Sequence, residues 1–148
     1  MIKKSKRIYL AGPMTGIEYF NFPTFDTYEQ VFEGLGYEVF SPAAHDRTLL
    51  GRPMNWLPSV EASRGPWVSW ALSASLKNEL PTLRDMLGAD LAWIAKNATH
   101  IAMLPGWEKS RGANAEWALA KALDLDIKYY PIDNEMVGAI RKESRLAA

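Results

Sequence analysis

The sequence predicts an α/β protein in which two layers of helices sandwich a mostly parallel sheet of about four or five strands. Three observations lead there. Short apolar runs, stopped by Gly or Pro, alternate with longer stretches whose apolar residues recur every three or four positions. The runs at 8–11 and 99–104 are apolar enough to be strands covered on both faces. The chain has 148 residues, a length that suits one compact domain.

Residues 8–11 form the first strand, and Gly12-Pro13 stops it. Pro23 suits the first turn of a helix reaching about residue 35. Phe25, Tyr28, Val31, Phe32 and Leu35 give that helix one apolar stripe, and Gly34 and Gly36 mark its end. Residues 37–40 alternate like a strand, closed by Ser41-Pro42. From 43 to about 79 the pattern dissolves. Pro53, Pro58 and Pro66 punctuate this stretch, with Trp56, Trp67 and Trp70 between them. It reads as an irregular excursion with one short helix near 67–77, its tryptophans placed for stacking on a base or for ordinary packing. Regularity returns at Pro81, where Leu83, Met86, Leu87, Leu91 and Ile94 set a helical stripe ending near Asn97. Residues 99–104 are a strand closed by Pro105-Gly106; 112–123 are an Ala-rich helix, 127–131 a strand, and 133–145 an amphipathic helix.

Residues 1–148 thus read as a single domain. Right-handed crossovers leave few topologies for this order. The expected one is a flavodoxin-like or Rossmann-like sandwich whose first and third strands are neighbours. Ligands of such sheets bind beyond the carboxyl ends of the strands, where the winding reverses. Here that is between the loops at 12–16 and 105–111.

Composition narrows the function. Lys+Arg and Asp+Glu each number 17, so the formal charge is zero, unlike that of a polyanion binder. There is no cysteine, which excludes disulfides, thiolate zinc sites and cysteine nucleophiles. His45 and His100 are too few and too far apart to indicate a metal cluster. No apolar run approaches a membrane span, and the basic residues 1–7 precede no long apolar stretch. The expectation is a cytoplasmic protein with no metal or organic cofactor, a small-molecule ligand, and neither a nucleic-acid polymer nor a membrane as partner.

Two loops carry the candidate chemistry. The first, Gly12, Pro13, Met14, Thr15 and Gly16, follows Tyr9 and allows close backbone approach, yet it is neither a GxxxxGK[ST] nor a full GxGxxG loop. The second runs from Pro105 through Trp107, Ser110, Arg111, Gly112 and Asn114 to Glu116, and feeds a helix N-terminus that suits an anion. Taken singly, each residue has an ordinary explanation. Glu116 is a carboxylate favoured by the helix dipole, Asp90 a solvated acid on its helix, and Tyr9 a core tyrosine.

As an ordered set they resemble a known superfamily. Tyr9-Leu10-Ala11-Gly12-Pro13, then Asp90-Leu91-Ala92-Trp93-Ile94, then Ser110-x-Gly112-x-x-x-Glu116 with Ala118 and Ala120, is similar to the nucleoside 2-deoxyribosyltransferases. That group includes the 2'-deoxynucleoside 5'-phosphate N-hydrolases. Gly12-Pro13-Met14-Thr15-Gly16 together with the run from Leu104 to Ala113 looks most like a phage and bacterial branch. The resemblance covers residues 8–16 and 85–131. It implies cleavage of an N-glycosidic bond of a (deoxy)nucleoside or its 5'-monophosphate, by hydrolysis or by transfer to another base. Glu116 would be the nucleophile at C1', Tyr9 would orient it, Asp90 would act near the departing base, and Ser110 would contact a 5'-phosphate. It also implies a homodimer or larger homo-oligomer. The sequence departs from the nucleotide hydrolases at Pro13 and Thr15, where those enzymes carry a phosphate-binding serine and arginine, and Thr15, Ser110 and Arg111 are the substitutes. Thr99-His100 replaces a frequent aspartate at the start of the third strand, and the stretch 43–79 has no counterpart.

The chemistry agrees with those roles. Glycosidic cleavage builds positive charge on the sugar and negative charge on the base, so one carboxylate and one acid divide the work. The expectation is that Glu116 stays ionised near the helix N-terminus while Asp90 keeps a proton among apolar neighbours. The alternative is a non-catalytic protein that binds or sequesters a nucleotide in the same pocket.

Overall fold

The computed structural model describes residues 5–63 and 83–130. The helices expected near 67–77 and 133–145 lie outside them. Among the described residues, four parallel strands form one sheet in the order β2-β1-β3-β4. They are β1 (Arg7–Ala11), β2 (Glu38–Phe40), β3 (His100–Met103) and β4 (Asp126–Tyr129). The first and third strands are neighbours, with Tyr9 level with Ile101 and Ala11 with Met103. This is the α/β sandwich of flavodoxin-like order.

The residues of β1 alternate between two cores. Ile8 and Leu10 join the cluster built on α1 (Phe22–Gly34), with Phe25, Tyr28, Val31 and Phe32. Tyr9 and Ala11 face the opposite layer, with Ile94 of α4 (Leu83–Asn97) and Ala113 and Ala120 of α5 (Arg111–Ala122). The period-two pattern of a strand thus sends Tyr9 to the face where α4 and α5 lie.

The stretch from 43 is not irregular throughout. It opens with α2 (Pro42–Leu49) and includes a short α3 (Val60–Ser63). Ser41 caps α2, its Oγ accepting from the Ala44 N–H, and Pro42 occupies the first turn, where a missing N–H costs nothing. Reading Ser41-Pro42 only as the end of a strand overlooked a helix start. Arg47 locks α2 against α1. Its guanidinium grips Asp26 at 2.6 and 2.8 Å, its Nε donates to the Trp56 carbonyl at 2.8 Å, and it lies over the Phe22 ring. Trp56 packs edge-on against Phe22, so of the two roles open to it, packing is the one observed. Trp67 and Trp70 lie outside the described residues.

The loops after β1 and β3 are held together by close contact. A Cβ on Gly12 would stand 2.9 Å from the Leu104 Cβ, and Leu104 N–H donates to the Ala11 carbonyl. Gly106, at φ +85°, abuts the Pro13 ring. Gly12→Ala is expected to cost about 1–3 kcal/mol, because a Cβ cannot swing away as a longer side chain does. An unchanged urea midpoint would show that the loops separate freely.

Candidate active site

The loops after β1 and β3 and the start of α5 surround a cavity of about 670 Å³, within the ~300–1,000 Å³ range of small-molecule sites. It lies at the carboxyl ends of the central strands, where the chain winds toward β2 on one side and β4 on the other. Gly12, Pro13, Met14, Thr15 and Gly16 line one wall. Ser110, Arg111 and Gly112 bring the N-terminus of α5, whose first N–H groups have no partner within the helix. Ser110 caps that helix by accepting from Ala113 N–H at 3.2 Å, which leaves its hydroxyl proton to donate elsewhere. Lys109 and Arg111 give this end of the cavity positive charge.

The loop leading from β1 to α1 is shaped by unusual backbone. Tyr19, Phe20 and Asn21 have φ of +55°, +50° and +61°, a left-handed run without glycine. Asn21 is the residue type that tolerates this best, and its side-chain N–H donates to the Pro13 carbonyl at 2.9 Å. The turn also seats Phe20 in the cavity wall.

Tyr9, Asp90 and Glu116 meet in this cavity. Tyr9 is fully buried, and its hydroxyl donates to Glu116 Oε2. The same hydroxyl is within hydrogen-bonding reach of Asp90. Glu116 is only 5% exposed, on the inward face of α5 with Ala113 and Ala120. Asp90 stands four residues from both Met86 and Ile94, on the inward stripe of α4, so it is not the solvated acid its helix pattern suggested.

Burial governs the charges. It raises Glu116 from 4.5 to about 8; the Tyr9 hydrogen bond opposes this and the nearby Asp90 adds to it. Burial likewise raises Asp90 from 3.8 to about 7, again opposed by Tyr9. Tyr9 itself is pushed well above 10, by burial first and then by the two carboxyls. The expectation that Glu116 stays ionised is therefore corrected for the ligand-free protein. Glu116 lies five positions beyond Arg111, the first residue of α5. The helix dipole fades within the first turn, so desolvation wins. Tyr9 stands between the two acids, donating to Glu116 and opposing the rise of both carboxyls, and their titrations belong to the pair.

A family model described as a domain of unknown function, DUF4406, matches residues 6–65 and 68–129. The chain belongs to the DUF4406 family. A search of curated proteins gave no match. The two matched stretches run from β1 to β4 and take in Tyr9, Asp90 and Glu116 together with both loops of this DUF4406 protein.

Two candidates lie elsewhere. Asn114 donates its side-chain N–H to the backbone carbonyls of Ser110 and Glu108, pinning the loop before α5. Trp107 packs at a tilt against Trp117 and Tyr129. Neither lines the cavity, and their contribution is to the loop's shape. Sequence reasoning missed Asp46, which does line the cavity and is 4% exposed. Burial, with Asp90 nearby, raises its carboxyl well above 3.8. The signal that could have found it is the cap-and-proline start at Ser41-Pro42, which puts Asp46 in the second turn of a helix beginning at the ligand end of the sheet. No group of three or more metal-ligating side chains occurs among the described residues, and none of the described helices is long and apolar enough to cross a membrane.

Proposed function

We propose that the protein cleaves the N-glycosidic bond of a nucleoside or nucleoside 5'-monophosphate, passing the sugar to water or to a second base. The observation that carries this reading is the buried Tyr9–Glu116 hydrogen bond with Asp90 beside it, on the wall of a ligand-sized cavity. A buried carboxyl oriented by a phenol is the arrangement a nucleophile at C1' requires. Glu116 attacks C1', the C1'–N bond breaks with its electron pair going to the base, and Asp90 supplies the proton the base needs. Asp90, now a carboxylate, takes a proton from water as its oxygen attacks C1' and frees Glu116. A second base entering by nitrogen gives transfer instead.

The positive end of the cavity supports the 5'-monophosphate. The N-terminus of α5, Ser110, Arg111 and Thr15 offer donors and charge to an anion. The resemblance of these residues to the nucleoside 2-deoxyribosyltransferase superfamily adds to the proposal a homo-oligomer acting in the cytoplasm of a bacterium, or of the host cell if phage-encoded. It requires no cofactor.

Incubation with a panel of nucleosides and 5'-monophosphates, followed by chromatography, is expected to show freed base. Its rate should trace a bell against pH, centred near neutral to mildly alkaline pH, because the working state carries one proton on the coupled pair. A flat profile from pH 5 to 8 would count against the pair. One observation favours a second reading, a non-catalytic nucleotide-binding protein: Glu116 holds its proton at neutral pH in the ligand-free cavity. Nucleotide binding without release from any member of the panel would establish it.

A further inference from the structure

Asp46 has no role in the mechanism above, yet it is buried in the wall of the same cavity. Among the described residues no hydrogen bond or ion pair holds its carboxyl, which lines the cavity. The adjacent cation does not serve it, because the Arg47 guanidinium is taken up by Asp26 and the Trp56 carbonyl on the α1 side. Asp46 does feel Asp90 electrostatically. Asp90 in turn reaches Tyr9, and Tyr9 reaches Glu116. Three acids are thus coupled in series from α2 to α5. Glu116 is the end assigned to the sugar and Asp90 the residue assigned to the base, which leaves Asp46 beyond Asp90 on the base side.

A buried carboxyl without a partner is costly, and a ligand that supplies the partner recovers that cost. Two neighbouring carboxyls without a cation call for N–H donors. An exocyclic amino group carries two on one nitrogen, one for each acid. A carbonyl oxygen in the same place offers only lone pairs. It can be held only by an acid that keeps its proton, so the preference for the amino group is read above the value of about 7 to which Asp90 is raised. We propose that Asp46, with Asp90, recognises an exocyclic amino group, so that the site selects amino-bearing bases over their oxo counterparts. This rests on the nucleotide reading of the cavity.

The test is calorimetric binding at pH 8.5, where Asp90 is ionised, to the protein carrying Glu116→Ala, which prevents turnover. The probes are two pairs of 2'-deoxynucleoside 5'-monophosphates differing in the amino or oxo group: adenine against hypoxanthine, and cytosine against uracil. The amino member of a pair is expected to bind at least about tenfold more tightly, the scale of one well-made hydrogen bond. Adding Asp46→Leu should bring the pair within about twofold of each other. It removes an unpaired buried carboxyl, so the fold should tolerate it. Asp46→Asn, which keeps a carbonyl acceptor, should retain the preference. Equal or tighter binding of the oxo members, or a full preference surviving Asp46→Leu, overturns the proposal. If none of the four probes binds and the wild type frees no base, the nucleotide reading fails and takes this proposal with it. If base is freed without amino preference, only the proposal on Asp46 falls.

Discussion

Glu116→Ala is expected to reduce base release by about 10³-fold or more while changing nucleotide affinity only a few-fold. A nucleophile contributes to the transition state far more than to ground-state binding, so the loss should fall on kcat. In the ligand-free cavity Glu116 is held neutral and tied to Tyr9, so little attraction for the incoming ligand disappears with it. Single-turnover kinetics with excess enzyme would separate the two effects. A loss confined to KM would make Glu116 a binding residue. Glu116→Gln is the stricter control, because it keeps the shape of the side chain and an acceptor for the Tyr9 hydroxyl. It should be as inactive as the alanine variant if the charge is what matters. Retention of more than about a tenth of the wild-type rate by the glutamine variant would remove the nucleophile from the mechanism.

The same residue should carry a measurable stability cost that grows with pH. Folding raises Glu116 from 4.5 to about 8 and Asp90 from 3.8 to about 7, in both cases mainly through burial. The folded chain therefore binds more protons than the unfolded one between those values. A carboxyl raised in this way gives its full benefit below its unfolded pKa and loses it as pH climbs through the folded one. His45 and His100, both lowered by burial, act in the opposite sense below about pH 6.5. The carboxyls are thus read most cleanly from pH 6.5 to 8.5. Across that window the wild type should lose stability, by about 2 kcal/mol through Glu116 and about 1 kcal/mol through Asp90. Glu29, raised by burial to about 7, and Asp46, raised by burial, add to the same loss. Glu116→Gln cannot ionise, so it should remove the Glu116 share of this slope, about 2 kcal/mol, and be the more stable protein at pH 8.5. Urea unfolding at several pH values measures both. A wild type whose stability is level or rising over this range, or a variant with an unchanged slope, contradicts the burial argument.

Much of the architecture could be read from residue order, for definite reasons. The strand at Tyr9 and the helix at Phe25, Tyr28, Val31 and Phe32 have apolar patterns that solvent exclusion enforces, and all these side chains are buried. The loops at Gly12 and Gly106 were legible because close packing there excludes a side chain. α2 was not, because its inward residues, Pro42, Ala43, Asp46 and Arg47, mix small and charged types. Its burial depends on the Asp26–Arg47 ion pair, which no periodicity reports. Asp46 went unseen with it. Asp90 was seen but misjudged, since a carboxyl on an apolar stripe is ambiguous until the opposing wall is known. Trp107 and Asn114 are the converse case. Proximity in sequence to Ser110 and Arg111 placed them in a binding loop, whereas their side chains turn to Trp117 and to the loop's own carbonyls.

The walls of the cavity differ in how they are fastened. Tyr9 belongs to one of the two inner strands and Glu116 to a helix packed directly on it, so displacing either disturbs the whole sheet. Asp46 sits on a short helix fixed mainly by the neighbouring Arg47, which grips Asp26 on α1. Diversification confined to that helix could therefore redirect what the protein accepts while sparing the groups that would do the bond breaking. It is the natural starting place for anyone wishing to retune its selectivity.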